Sequence, residues 1–343
     1  MTVYPYRRLF WGLSALFFVA GGLFAGGQAE PITEPADNGD TARQELGELQ
    51  DLTIASLRGP TGIGMAPYLG GDPVEGRYAR VSTEVVADPS VMVARLSSGE
   101  ADVGMLPSNV VAQLANRGIP VQIAAVTLWG VLYVVGPDDG VRAVEDLSGR
   151  VVHAVGRGAT PDIVLRHLLS EAGMDAETDV DLRFQYSPVE LTQLVIAGEI
   201  DRAVLPEPFV TQALSRRNDL AVNVDLQEAW RNRYGDSYPQ TAIVVRSDVA
   251  VEYPQAMEEA LALVESGWSQ ILADPEAAGE TVAATDLGVP APVVERALPR
   301  LNARYVPVSE AQAALEEYFA VLFAFDPRTV GGSVPGPELY WRP

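Results

Sequence analysis

GEADVGMLPSNVVAQ, Gly99 to Gln113, is written a second time as GEIDRAVLPEPFVTQ, Gly198 to Gln212. Gly99/Gly198, Glu100/Glu199, Asp102/Asp201, Leu106/Leu205, Pro107/Pro206, Val111/Val210 and Gln113/Gln212 match at one constant offset. In each copy a helix ends at Gly, a residue suited to a left-handed C-terminal position. A Glu-x-Asp turn follows, then a short apolar run that reads as a buried strand, then a Leu-Pro corner that opens the next helix. Two such units predict two similar α/β lobes, and a cleft between lobes is a common place for a small ligand.

Working outward, strands alternate with helices, which predicts a parallel-rich α/β architecture. Strands are expected at Leu52–Leu57, Ala79–Val86, Val121–Val126 and Gly130–Val135. The logic restarts at Val151–Val155, Leu182–Tyr186 and Leu220–Val224, and Thr241–Arg246 returns to the first lobe. Four helices are expected after it, at Tyr253–Ala273, Pro275–Thr285, Ala291–Leu298 and Ser309–Phe325, with a Pro/Gly-rich end wrapping the surface. Lobe one is then discontinuous, 51–136 plus 240–343, and lobe two is 137–239. Arg7-Arg8 followed by the apolar run Leu9–Ala25 and Gly27-Gln28-Ala29 reads as a signal peptide, 1–29, cut before Glu30. Residues 30–50 read as a flexible acidic leader. The expected location is the periplasm.

The chain has 343 residues, 48% apolar, with 46 acidic residues against 24 basic ones and a net charge of −22. All the basic residues are arginine. That balance argues against a nucleic-acid partner, because phosphate neutralisation needs a basic face. Cysteine is absent and histidine occurs only at His153 and His167. Disulfides, thiolate metal sites and a thiol nucleophile are therefore excluded, and no metal site or cofactor is expected.

Ligand groups in open α/β sheets sit at the carboxyl ends of strands, beside helix N-termini. That rule selects Pro60, Thr61 and Gly62 after the first strand, Ser108 and Asn109 after the first repeat, and Trp129 between two strands. In the second lobe it selects Gly158, Ala159, Thr160, Tyr186 and Glu207, and it adds Gln240 and Thr241 at the return. Gly59-Pro60-Thr61-Gly62-Ile63-Gly64 lacks the lysine of a phosphate-loop motif, so nucleotide hydrolysis is not expected. Trp129 and Tyr186 suit stacking against a flat ligand. Glu207 replaces the Ser108 of the first copy and suits a ligand N–H. Glu100, Asp102, Glu199 and Asp201 suit turn chemistry. No acid–base pair stands out as catalytic.

The strand and turn at Leu52–Gly64, SGEADVG at Ser98–Gly104, AGEIDRAVLPEP at Ala197–Pro208 and PQTAIVVR at Pro239–Arg246 resemble the solute-binding proteins of ABC importers. The similar group includes the nitrate, alkanesulfonate, taurine and thiamine-pyrimidine receptors, and the likeness covers Leu52 to about Phe325. The resemblance implies a two-lobed type II periplasmic-binding-protein fold with a ligand cleft between lobes. It also implies a monomer that binds a small molecule without altering it and serves an ABC permease in the inner membrane. Trp129, Tyr186 and Glu207 favour an aromatic nitrogen heterocycle such as a vitamin precursor. The alternatives are an oxyanion receptor, for sulfonate or nitrate, and a menaquinone-pathway-type enzyme on the same fold. A pyrimidine synthase of this fold is excluded, since its chemistry needs lysine and cysteine.

Overall fold

A computed structural model describes residues 49–343. The expected signal peptide and nearly all of the leader lie outside the described residues, and Gln50 already belongs to the first strand. β1 (Gln50–Leu57) leads into a 3-10 helix at Pro60–Tyr68, then β2 (Val74–Glu75), β3 (Ala79–Val86), α1 (Pro89–Ser98), β4 (Val103–Pro107), α2 (Ser108–Asn116) and β5 (Val121–Leu128). The next stretch is β6 (Leu132–Pro137), β7 (Val151–Ala154), α3 (Thr160–Glu171), β8 (Asp181–Arg183), α4 (Pro188–Ala197), β9 (Ala203–Pro206), α5 (Phe209–Arg216), β10 (Leu220–Asp225) and α6 (Leu226–Tyr234). The chain ends with β11 (Thr241–Arg246), α7 (Ser247–Glu252), α8 (Pro254–Ala273), α9 (Pro275–Ala283), α10 (Ala291–Ala297), β12 (Ala303–Pro307) and α11 (Val308–Phe325).

The strands form a seven-stranded sheet, β12-β5-β11-β4-β1-β3-β2, and a five-stranded sheet, β10-β6-β9-β7-β8. β6 pairs with β9 and β10. The chain therefore leaves the first sheet between Leu128 and Leu132, ahead of the crossing expected at Gly136. It returns where β11 begins at Thr241.

Both sheets are covered on both faces, and strand alternation assigns the side chains. In β1, Leu52 and Ile54 join a core with α8 and α9, while Ala55 and Leu57 face the opposite core. In β11, Ile243 and Val245 take the first side and Ala242 and Val244 the second. In β6, Leu132 and Val134 share that second core, which reaches α3, α6 and α11. Tyr133 and Val135 turn to a third core against α4 and α5. One apolar core thus runs continuously beneath both sheets.

The repeated sequence becomes two repeated corners. Asp88 caps α1 by accepting from the Ser90 and Val91 amides, and Ser187 with Glu190 forms a capping box on α4. The helices end at Gly99 and Gly198, with φ of 80° and 76°. Asp102 accepts the Thr53 amide at 2.9 Å and faces Arg246 at 3.4 Å, tying β4 to β1 and β11. Asp102 is therefore a strand tie, where its spacing had suggested turn chemistry.

β2, α6, α7 and β12 were not anticipated. α6, LQEAWRNRY, is polar over most of its surface, so its period is faint; Asp225 caps it and only Leu226, Gln227 and Trp230 are buried. β12 is a short edge strand whose register against β5 is irregular. The chain end lies mostly at the surface but is anchored inward: Leu339 and Tyr340 are buried, and the Trp341 amide donates to the Ile123 carbonyl at 2.9 Å.

The 3-10 helix is fixed by close approach. A Cβ on Gly64 would fall 2.3 Å from the Trp268 indole nitrogen, and one on Gly267 of α8 would fall 2.0 Å from the Gly64 carbonyl oxygen. Gly267→Ala is expected to cost about 1–3 kcal/mol through overpacking against backbone. Gly71→Ala, whose added methyl meets only the Tyr68 carbonyl at 3.9 Å, should stay within about 0.5 kcal/mol. Urea unfolding of both variants checks the contrast.

Candidate functional site

Strand direction brings the selected residues to two edges. β1, β3 and β4 are parallel, and β5, antiparallel to β11, runs the same way. Leu57, Pro107 and Leu128 therefore end at one edge of the first sheet, beside the start of β11, where Thr241 pairs with both Pro107 and Leu128. In the second sheet β7, β8 and β9 are parallel, and β6 and β10 place Leu132 and Asp225 at the carboxyl end of β9. The two crossings, Trp129–Val131 and Ser237–Gln240, join these edges.

Buried polar side chains brace the crossings. Ser108 Oγ donates to the Pro239 carbonyl at 2.8 Å, and its amide donates to the Gln240 carbonyl at 3.2 Å. The Gln240 amide donates to the Leu128 carbonyl at 2.8 Å, and Ser237 Oγ to the Trp129 carbonyl at 2.7 Å. Gln227 Oε1 accepts from the Leu132 amide at 2.7 Å and the Tyr238 hydroxyl at 2.6 Å, so one amide holds both crossings. Asn302, in the left-handed region at φ 47°, donates to the Gly130 carbonyl and the Tyr133 hydroxyl, each at 3.2 Å.

Ser108, Trp129, Gln240 and Thr241 come together around these crossings, with Asn109 on the first turn of α2. Trp129 is 1% exposed, and the Arg304 guanidinium lies 4.0 Å from its ring centroid. Among the described residues its indole N–H has no hydrogen-bond partner; neither does Thr127 Oγ1 or Gln240 Oε1, both buried atoms. Pro60, Thr61 and Gly62 stand at the carboxyl end of β1, with Gly62 buried and the other two partly so. In the second lobe Gly158 and Ala159 are exposed. The Gly158 amide is already taken by Asp162 at 2.8 Å, and Thr160 Oγ1 lies 3.3 Å from the Tyr318 hydroxyl. Tyr186 is 36% exposed and stacks on His153, with ring centroids 5.9 Å apart, beside the outermost strand of its sheet.

Glu207 is wholly buried. Thr211 donates to it through its amide at 3.1 Å and its hydroxyl at 3.0 Å, and Arg300, with 29% of its side chain exposed, donates through Nε. Its own amide donates to the Val131 carbonyl at 2.9 Å, and the Glu207–Pro208 bond is cis. Burial raises the Glu207 pKa above the ordinary carboxylate value, against the opposing pull of Arg300 and Thr211. Arg300, Asn302, Arg304, Ser237 and Gln227 were missed by sequence reasoning. They lie outside the repeated motif and off the strand ends of the repeat, and Gln227 sits on the helix with the faint period.

The family described as "ABC transporter, phosphonate, periplasmic substrate-binding protein" matches residues 77–283. The chain belongs to this family of periplasmic substrate-binding proteins of ABC transporters. A Brucella abortus (strain 2308) chain described as a binding protein is 24% identical over 197 residues, 57% of this chain and 58% of that relative. The match thus spans less than two thirds of that relative's length. The crystal structure of an ABC transporter from Parabacteroides distasonis is similar at a TM-score of 0.72 and 26% identity, covering 85% of this chain and 99% of that one. The periplasmic aliphatic sulphonate binding protein of Escherichia coli has a TM-score of 0.69 at 19% identity, covering 86% and 93%. The two-lobed periplasmic-binding-protein fold expected from the sequence is the fold found. Among the described residues no helix is long and apolar enough to cross a membrane.

Gln227→Leu leaves the Leu132 amide and the Tyr238 hydroxyl buried without their acceptor, and is expected to cost about 2–4 kcal/mol by chemical denaturation. Glu207 gives a pH signature. A buried carboxyl with a raised pKa favours its protonated form in the folded state. The group's contribution to stability is therefore largest below the ordinary carboxylate value and falls as pH rises through the raised one. The stability of the protein relative to Glu207→Gln should accordingly decline as pH is raised from about 4.5. Thermal unfolding of both chains across that range checks the direction.

Proposed function

We propose that the protein captures a small oxyanion, a sulfonate or phosphonate, between its two lobes and passes it unaltered to an ABC permease in the inner membrane. The lobes of this proposal are built around the two sheets, with crossings at Trp129–Val131 and Ser237–Gln240. The single observation that carries this reading is the set of buried, unpartnered polar atoms at the crossing, Thr127 Oγ1, Trp129 Nε1 and Gln240 Oε1. An indole N–H only donates, so its complement must be an acceptor. The Thr127 hydroxyl can donate or accept. A Gln amide presents either its oxygen or its nitrogen once turned. Arg304, paired with Asp236, lays a guanidinium over the Trp129 ring.

Two supports of the heterocycle reading are engaged within the protein. Trp129 is buried with a guanidinium over its ring, and Glu207 is held by Thr211 and Arg300. The pairing with Arg300 also offsets the repulsion that a lone Glu207 would exert on an anion. Membership in the phosphonate-binding family and the fold likeness to a sulphonate binding protein support the same ligand class. Capture at the micromolar level corresponds to about −8 kcal/mol, within reach of a few such bonds in a closed cleft.

Calorimetric titration with ethanesulfonate, taurine, methylphosphonate, nitrate and an aminopyrimidine tests the reading. A sulfonate or phosphonate is expected to bind one to one, and Trp129→Phe, which keeps the ring and deletes the N–H, should weaken it about tenfold or more. Binding of the pyrimidine alone, or release of a chemically changed product, would refute it.

A further inference from the structure

The segment Arg296–Arg304 is fastened to the first sheet, because β12 pairs with β5 through Ala303–Leu128 and Val306–Val126. Its polar groups nevertheless reach the second sheet's elements. Arg296 Nη1 donates to Ser215 Oγ of α5 at 3.1 Å. Arg300 donates through Nε to Glu207 and through Nη2 to Thr211 Oγ1 at 2.5 Å. The Arg300 carbonyl accepts from the Tyr133 hydroxyl of β6 at 2.6 Å. Arg304 pairs with Asp236, beside the second crossing, at 2.5 Å. These contacts bridge the lobes next to the crossings, where the Glu207 amide also bonds the Val131 carbonyl, and separation of the two edges at this point would break them.

We propose that Arg300 is a positioning residue, a latch that sets how much of the ligand-free protein occupies the closed arrangement and thereby sets apparent affinity without touching the ligand. This rests on the reading that a solute is captured between the lobes. The wholly buried Glu207 cannot be left with its charge uncompensated at small cost, so opening at this point must either hydrate Glu207 or break its pair. The Arg300 contact therefore biases the equilibrium toward closure. Apparent affinity scales with the fraction of molecules that are binding-competent, so a latch that raises this fraction tightens binding.

Two variants test the latch. Arg300→Met removes the cation alone. The double variant Glu207→Gln/Arg300→Gln removes both charges without stranding either, and it decides the matter if the single variant fails to fold. Small-angle scattering is recorded without ligand and with saturating ethanesulfonate or methylphosphonate, whichever binds the parent. The expected result is a larger radius of gyration than the parent in the ligand-free state, the parent value when saturated, and apparent affinity weakened roughly fivefold or more. Arg300→Lys should restore part of both effects. An unchanged ligand-free scattering curve in the double variant, or unchanged affinity beside an expanded curve, would overturn the latch. If no probe binds the parent chain, the capture reading falls, and the ligand-free scattering alone still decides whether Arg300 holds the lobes together.

Discussion

Everything at the centre of this molecule depends on satisfying backbone polar groups where the chain leaves one sheet for the other. A buried amide or carbonyl outside a ladder must find another partner. At Trp129–Val131 and Ser237–Gln240 those partners are side chains and the neighbouring crossing: Ser237 on the Trp129 carbonyl, Ser108 on the Pro239 carbonyl, Gln227 on the Leu132 amide. This polar seam is laid over a continuous apolar core that includes Trp129, Leu132, Trp230 and Tyr238. The sheets are thus joined by a bonded seam rather than by a loose linker. The atoms left unpaired there, on Thr127, Trp129 and Gln240, are conspicuous because their neighbours are satisfied so fully.

Charge is used sparingly inside this acidic chain, and its positive half is always arginine. A guanidinium is planar and weakly hydrated, so it can serve a carboxylate and a hydroxyl at once from a partly buried position. Arg300 does so with Glu207 and Thr211, and Arg246 ties Asp102 at the opposite end of β11. Arg304 combines an ion pair to Asp236 with a seat over the Trp129 ring. Glu207, the position at which the second copy of the repeat departs from the first, has become half of an inter-lobe pair.

Much of the architecture was legible because it is local. Gly99 and Gly198 and the apolar strands Val103–Pro107 and Ala203–Pro206 follow from chain periodicity and turn chemistry within a dozen residues, while the caps at Asp88 and Ser187 came from the structure. The strand-end rule also placed Ser108, Trp129, Gln240 and Thr241 at one edge. What it missed was long-range. α6 carries its main contribution in one buried glutamine, which no hydrophobic period reveals. β12 and the end at Leu339–Trp341 have edge positions that only their partners on β5 define.

By itself the sequence determined the duplicated α/β units, since these follow from short-range periodicity and turn chemistry, whereas the antiparallel pairings of β6, β10, β11 and β12 depart from the parallel-rich expectation and came only from long-range packing. Only the tertiary structure decided which groups at the sheet edges remain free and which are engaged. Glu207 was spoken for by an arginine nearly a hundred residues away, the Gly158 amide by Asp162, and the Trp129 ring by Arg304. The physical reason is that hydrogen-bond and charge satisfaction belongs to pairs of atoms brought together by packing, and their separation in the chain carries no record of it.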